Sequence, residues 1–175
     1  MGKERSSGGL ISLDGVNGEA LRRAAKKLAV ERRPRGAVSH WDASGIFDEL
    51  LIAGPDAGRP SVRTLLLLYA ADLAFRLRWE IKPALAEGRL LIVAPYIDTA
   101  VALGRAAGLE RPWLKNLFGF VPSPSERRQI AGSGRTKGDG LVEYVCQHAD
   151  GGFSRRELLQ RTNAYLAGRR PSARR

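Results

Sequence analysis

The stretch Arg89-Leu90-Leu91-Ile92-Val93-Ala94, set between Gly88 and Pro95, constrains this chain more than any other. It is a short, continuous apolar run bounded by turn residues. It lacks the polar alternation that a solvated face would impose, so it predicts a strand buried on both sides. Such strands belong to parallel sheets with helices packed on each face. Leu10-Ile11-Ser12-Leu13 repeats the signal, and residues 36–41 give a further strand candidate. Between these runs the pattern turns helical. Leu21, Ala25 and Leu28 share one face of a helix expected over residues 19–31. A short helix is expected over 43–52, and a long one over 61–87 that Pro83 kinks or splits near Lys82. Further helices are expected over 97–107, 113–118 and 155–167, the last opened by the capping-box spacing Ser154-Arg155-Arg156-Glu157. Residues 54–60 read as a loop, 118–121 as a weak strand, 141–148 as helical or extended, and 132–140 as a flexible Gly-rich loop. The alternation predicts one α/β domain over residues 9–167, between a polar tail at 1–8 and an arginine-rich tail at 168–175.

Composition narrows the partners. The 175 residues carry 29 Lys and Arg against 18 Asp and Glu, a formal charge of +11. That excess predicts an anionic partner: a nucleotide or other anionic ligand, nucleic acid, or an anionic membrane. Seven of the basic residues fall between Arg22 and Arg35, which places a basic stripe along one surface. Cys146 is the single cysteine, so no internal disulfide framework exists, and His40 and His148 are too far apart for zinc-ligand spacing. No metal ligands are expected. Residues 1–9 have no apolar signal-peptide core, and the longest apolar stretch, 64–75, contains Asp72 and is too short for a bilayer. The expectation is a cytoplasmic protein without a membrane partner.

Asp14-Gly15-Val16-Asn17-Gly18 links the first strand to the first helix. Glycines there let backbone N–H groups approach an anion, and the helix N-terminus adds positive potential. Measured against the pattern G-x-x-x-x-G-K-[ST], Gly15 matches and the rest does not. Ala20, Leu21 and Arg22 stand where the second glycine, the lysine and the hydroxyl belong. Arg22 and Arg23 at the helix start are best tolerated by the helix dipole when an anion is present. Gly15, Asn17, Gly18, Arg22 and Arg23 are therefore the phosphate-binding candidates. The alternative is that both arginines face solvent.

Three segments in order carry a family resemblance. They are Leu65-Leu66-Leu67-Leu68-Tyr69-Ala70-Ala71-Asp72, then Ile81-Lys82-Pro83-Ala84-Leu85, then Tyr96-Ile97-Asp98. Their order and spacing resemble the middle of a bacterial thymidylate kinase, as the loop at 14–18 resembles that family's EG-x-DG. The similarity covers roughly residues 9–114. It implies the three-layer P-loop nucleotide-kinase fold, a strand order like 2-3-1-4-5, and commonly a homodimer. It also makes Asp14, Tyr69, Asp72, Tyr96 and Asp98 candidates for the nucleotide pocket, although Tyr69 is equally suited to the core and Asp72 to a local pairing. A basic lid over the phosphates would fall at residues 132–140.

What the family's chemistry requires is largely missing. Leu21 and Arg22 replace the loop lysine and hydroxyl, Asn17 the loop acid, Leu73 the arginine after YAAD, and Ala94 and Pro95 the charged residues before Tyr96. Phosphoryl transfer rests on positioning and charge neutralisation, and one such contact carries about 10³–10⁵ in rate. The expectation is a non-catalytic nucleotide- or phosphate-binding or regulatory protein with no catalytic residues and no cofactor. Two alternatives remain: an active nucleoside monophosphate kinase with a non-standard site, using ATP and magnesium, and a basic nucleic-acid-binding module.

Overall fold

The computed structural model describes residues 8–32, 35–132 and 140–169. Most of the two expected tails and residues 133–139 of the Gly-rich loop lie outside the described residues. Four strands, β1 (Leu10–Asp14), β2 (Ala37–His40), β3 (Leu91–Ala94) and β4 (Glu126–Gln129), form one parallel sheet in the order β2-β3-β1-β4. Among the described residues, eight α-helices flank it: α1 (Gly18–Glu31), α2 (Ile46–Ala57), α3 (Val62–Arg76), α4 (Lys82–Ala86), α5 (Ile97–Ala106), α6 (Arg111–Leu117), α7 (Leu141–His148) and α8 (Arg155–Leu166). The expected fold class, a parallel sheet between helical layers, is what forms, and the strand order agrees over the four strands described.

The pleat explains the layers. Ile11, Leu13, Ile92 and Ala94 point to one face and meet Leu21, Ala25 and Leu28 of α1. Leu10, Leu91 and Val93 point to the other, where Leu65, Leu66, Tyr69, Ala100 and Leu103 complete the larger core. β3 is buried along its whole length, as its uninterrupted apolar run requires.

Three expectations are corrected. The strand expected at 118–121 is a turn following α6, and the fourth strand lies later, at Glu126–Gln129. Its residues, Glu-Arg-Arg-Gln, carry no apolar signal because β4 is an edge strand whose side chains are largely exposed. The loop expected from residue 54 begins later, since α2 continues to Ala57. The long helix is divided as Pro83 demanded, but by a wide π-helical turn over Leu77–Ile81 ahead of α4. Proline supplies no N–H to the preceding turn, and the wider turn accommodates that gap.

Candidate functional site

In open parallel sheets, ligands bind beyond the carboxyl ends of the strands. Here those ends are Asp14, His40, Ala94 and Gln129. A crevice of about 800 Å³ opens beside the end of β2, between α1, α2 and α7. Arg22, Trp41, Asp42, Asp48, Glu143 and Tyr144 are among its walls.

The loop that follows β1 is tied to its neighbours. The Gly15 N–H donates to Thr99 Oγ1 at 3.0 Å. Thr99 in turn donates from its hydroxyl and its amide to Asp14 Oδ1, both at 2.8 Å, and the Tyr96 amide joins them at 3.1 Å. Asp14 thus fastens the end of β1 to the start of α5. Asp14 is 1% exposed, and among the described residues its Oδ2 has no hydrogen-bond partner. Burial pushes its pKa up to about 6, against the pull of the Thr99 and Tyr96 hydrogen bonds. A Cβ on Gly15 would lie 2.5 Å from the Ile130 carbonyl oxygen, so close packing against the chain leaving β4 requires glycine here. Asn17 is the N-cap of α1, its side chain accepting from the Ala20 amide at 2.9 Å. Both ends of the Gly-rich segment return to this loop: Gly132 packs on Asn17, and Gly140 on Gly18.

The two arginines of α1 part company. Arg23 is exposed and pairs with Glu19 at 2.9 Å, one helical turn away. Arg22 turns toward the crevice and donates from Nε to His40 Nε2 at 3.3 Å. His40 then holds its proton on Nδ1, 2.8 Å from the Ala94 carbonyl oxygen. Burial lowers the His40 pKa, and the charges of Arg22 and Arg76 lower it further. Leu21, between them in sequence, is 1% exposed and lies in the apolar layer beneath the sheet.

The pocket candidates also separate. Tyr69 is fully buried against Trp41 and Phe118, its hydroxyl 3.0 and 3.1 Å from the Pro95 and Tyr96 carbonyl oxygens. Of the two roles open to it in the sequence, this geometry is that of the core. Tyr96 is buried too, its hydroxyl donating to the Pro122 carbonyl at 2.7 Å. Asp72 accepts from Arg76 Nε at 2.8 Å. Burial raises the Asp72 pKa while Arg76 holds it back. Asp98 is bonded to Arg127 at 2.9 and 3.1 Å and lies close enough to Asp14 for its charge to help raise the Asp14 pKa. Asp14, Tyr69 and Tyr96 are joined by hydrogen bonds at one junction, while Asp72 and Asp98 are each paired with an arginine.

Ser39 and Arg76, to which no sequence motif points, meet under the end of β2. Arg76 is buried, donates to Ser39 Oγ at 3.3 Å, and among the described residues leaves Nη2 without a partner. Ser39 donates onward to Glu80 at 2.7 Å. Trp41, fully buried, has an Nε1 without a partner among the described residues. The available signal was position: Ser39 and His40 close β2, Trp41 follows it, and Arg76 stands four residues after Asp72 on a helix. Among the described residues, no three His, Cys, Asp or Glu side chains are grouped to hold a metal. Burial pushes the half-buried Cys146 thiol up to about 11, which leaves it protonated and a poor nucleophile.

No family model matches the chain. Over 130 residues it is 29% identical to a probable thymidylate kinase of Pyrococcus abyssi, covering 67% of this chain and 62% of that protein. Over 114 residues it is 32% identical to a thymidylate kinase of Syntrophotalea carbinolica, covering 61% of this chain and 53% of that protein. The fold aligns with the crystal structure of thymidylate kinase from Ehrlichia chaffeensis at a TM-score of 0.57 and 17% identity, over 71% of this chain and 72% of that one. The chain is related to the thymidylate kinases. It spans between half and two thirds of the length of these curated relatives. In this thymidylate kinase relative, Leu21 is an apolar contact of the sheet, and the Gly15 amide is engaged by Thr99. No described helix is long and apolar enough to cross a membrane.

Proposed function

We propose that this thymidylate kinase relative binds a nucleotide or another phosphate-bearing anion without transferring phosphate, and acts through that bound state as a regulatory or interaction protein. The observation that carries the proposal is the burial of Leu21 in the apolar layer where the kinase pattern calls for a lysine. A lysine there is needed to meet the β- and γ-phosphates, and a leucine packed under the sheet offers them nothing. Ligand binding itself is supported by the kinship and by the crevice at the carboxyl end of β2. In the proposal the anion lies at the crevice mouth, where Gly18, Arg22 and Gly140 meet, and needs no magnesium.

Calorimetric titration with dTMP and with ADP in the presence of chelator tests this. Weak, saturable binding is expected, unchanged by chelator, reduced in Arg22→Ala and retained in Arg23→Ala, whose guanidinium is held by Glu19. Binding that appears only with magnesium would instead favour the active kinase. No binding in either condition would remove the proposal.

A further inference from the structure

A second cleft, of about 450 Å³, lies between α5, the start of α6 and the end of α8, and shares no wall with the crevice. Three arginines from three elements line it: Arg105, Arg111 and Arg169. None of them forms an ion pair among the described residues. The one acid in the wall, Asp98, is bound at both oxygens by Arg127. The cleft therefore holds three guanidinium charges and no carboxylate left to answer them.

Two of the arginines are tied to the end of α8. Arg105 lies over the Tyr165 ring at 5.3 Å. Arg169 follows Gly168, whose φ of 71° turns the chain back so that the Arg169 amide donates to the Ala164 carbonyl at 2.8 Å. Gln129 of β4 donates to the Leu166 carbonyl and joins the end of α8 to the sheet edge. Like charges gathered on such elements repel one another unless an anion joins them. A phosphate suits the set, since its several oxygens accept from planar donor forks at different angles.

We infer that the Arg105–Arg111–Arg169 cleft is a phosphate-binding site, distinct from the proposed nucleotide crevice, for a phosphate presented free or along a nucleic-acid strand. Fluorescence anisotropy with a labelled oligothymidylate of about 12 nucleotides, competed with inorganic pyrophosphate, reads the site and its source. In Arg105→Ala/Arg111→Ala/Arg169→Ala, binding is expected to weaken by about tenfold or more at low salt, with the salt slope reduced by about 2, near 0.7 for each lost contact. The equal charge removal Lys26→Ala/Lys27→Ala/Lys82→Ala, on other surfaces, is expected to cost about twofold or less. Because Arg105 also packs on Tyr165, the double variant Arg111→Ala/Arg169→Ala, at two exposed positions, tests the site if the triple variant melts early. Displacement by equimolar pyrophosphate assigns the site to free phosphates, and resistance to it assigns it to a strand. Absence of binding by either probe, or equal losses in the two triple variants, would overturn the site. Retained dTMP titration in the arginine variants separates this result from the fate of the crevice.

Discussion

Restoring the kinase lysine, Leu21→Lys, is expected to destabilise the protein and to yield no phosphoryl transfer. Leu21 is 1% exposed, among Ile11, Leu13, Ala25, Leu28, Ile92 and Ala94. An ammonium placed there loses its hydration without gaining a partner, and a pKa depressed by about 3 units corresponds to about 4 kcal/mol. Set against a total stability of about 5–15 kcal/mol, that loss is visible as a large fall in the urea midpoint. Leu21→Met, similar in size and apolar, is expected to stay near the parent. A stable, active Leu21→Lys would mean that the helix can turn this position toward a phosphate, and that the rest of the site is intact.

A second large effect concerns acid. Burial pushes the Asp14 pKa up to about 6 in the folded protein, from an ordinary 3.8. The folded state therefore binds the Asp14 proton more tightly than the unfolded chain does. Its ionisation opposes folding, so its contribution to stability falls as pH rises from about 4 through 6 and levels off above that. The difference corresponds to about 3 kcal/mol between the two ends of the window. His40 acts in the opposite direction, because its lowered pKa makes protonation below its ordinary 6.5 unfavourable to the fold. Comparing wild type with Asp14→Asn isolates the carboxylate. Asparagine keeps an acceptor for the Tyr96 and Thr99 amides and removes the charge, so it is expected to stabilise the protein at about pH 7.5 and to do little at about pH 3, below the whole window. Equal urea midpoints for the two proteins across this range would show that Asp14 does not carry the buried charge described above.

The central layers of the fold were legible because burial writes itself into sequence. β3 is apolar throughout, and α1 keeps Leu21, Ala25 and Leu28 in register with the sheet. β4 was not legible, since an edge strand of Glu-Arg-Arg-Gln buries almost nothing, and its pairing with β1 is a backbone matter. The site was legible only in part. Asp14, Tyr69 and Tyr96 were picked out as identities, but their hydrogen bonds cross 82, 27 and 26 residues, and those contacts make them a structural junction. Arg22 and Arg23 are adjacent and chemically alike. One helical step, about 100°, sends the first to the crevice wall and His40 at the end of β2, and the second to Glu19 in solvent. Arg76 escaped notice because a charged residue at the end of a helix gives no hint that it is buried.

The most direct test of the account is a coupled assay of the purified protein with magnesium, ATP and dTMP. The account predicts a signal no higher than the background of the same mixture without protein, because the lysine position is apolar and the Gly15 amide is bound to Thr99. Turnover near about 1 s⁻¹, ordinary for an enzyme, would contradict it and make this chain a working kinase with a rearranged site.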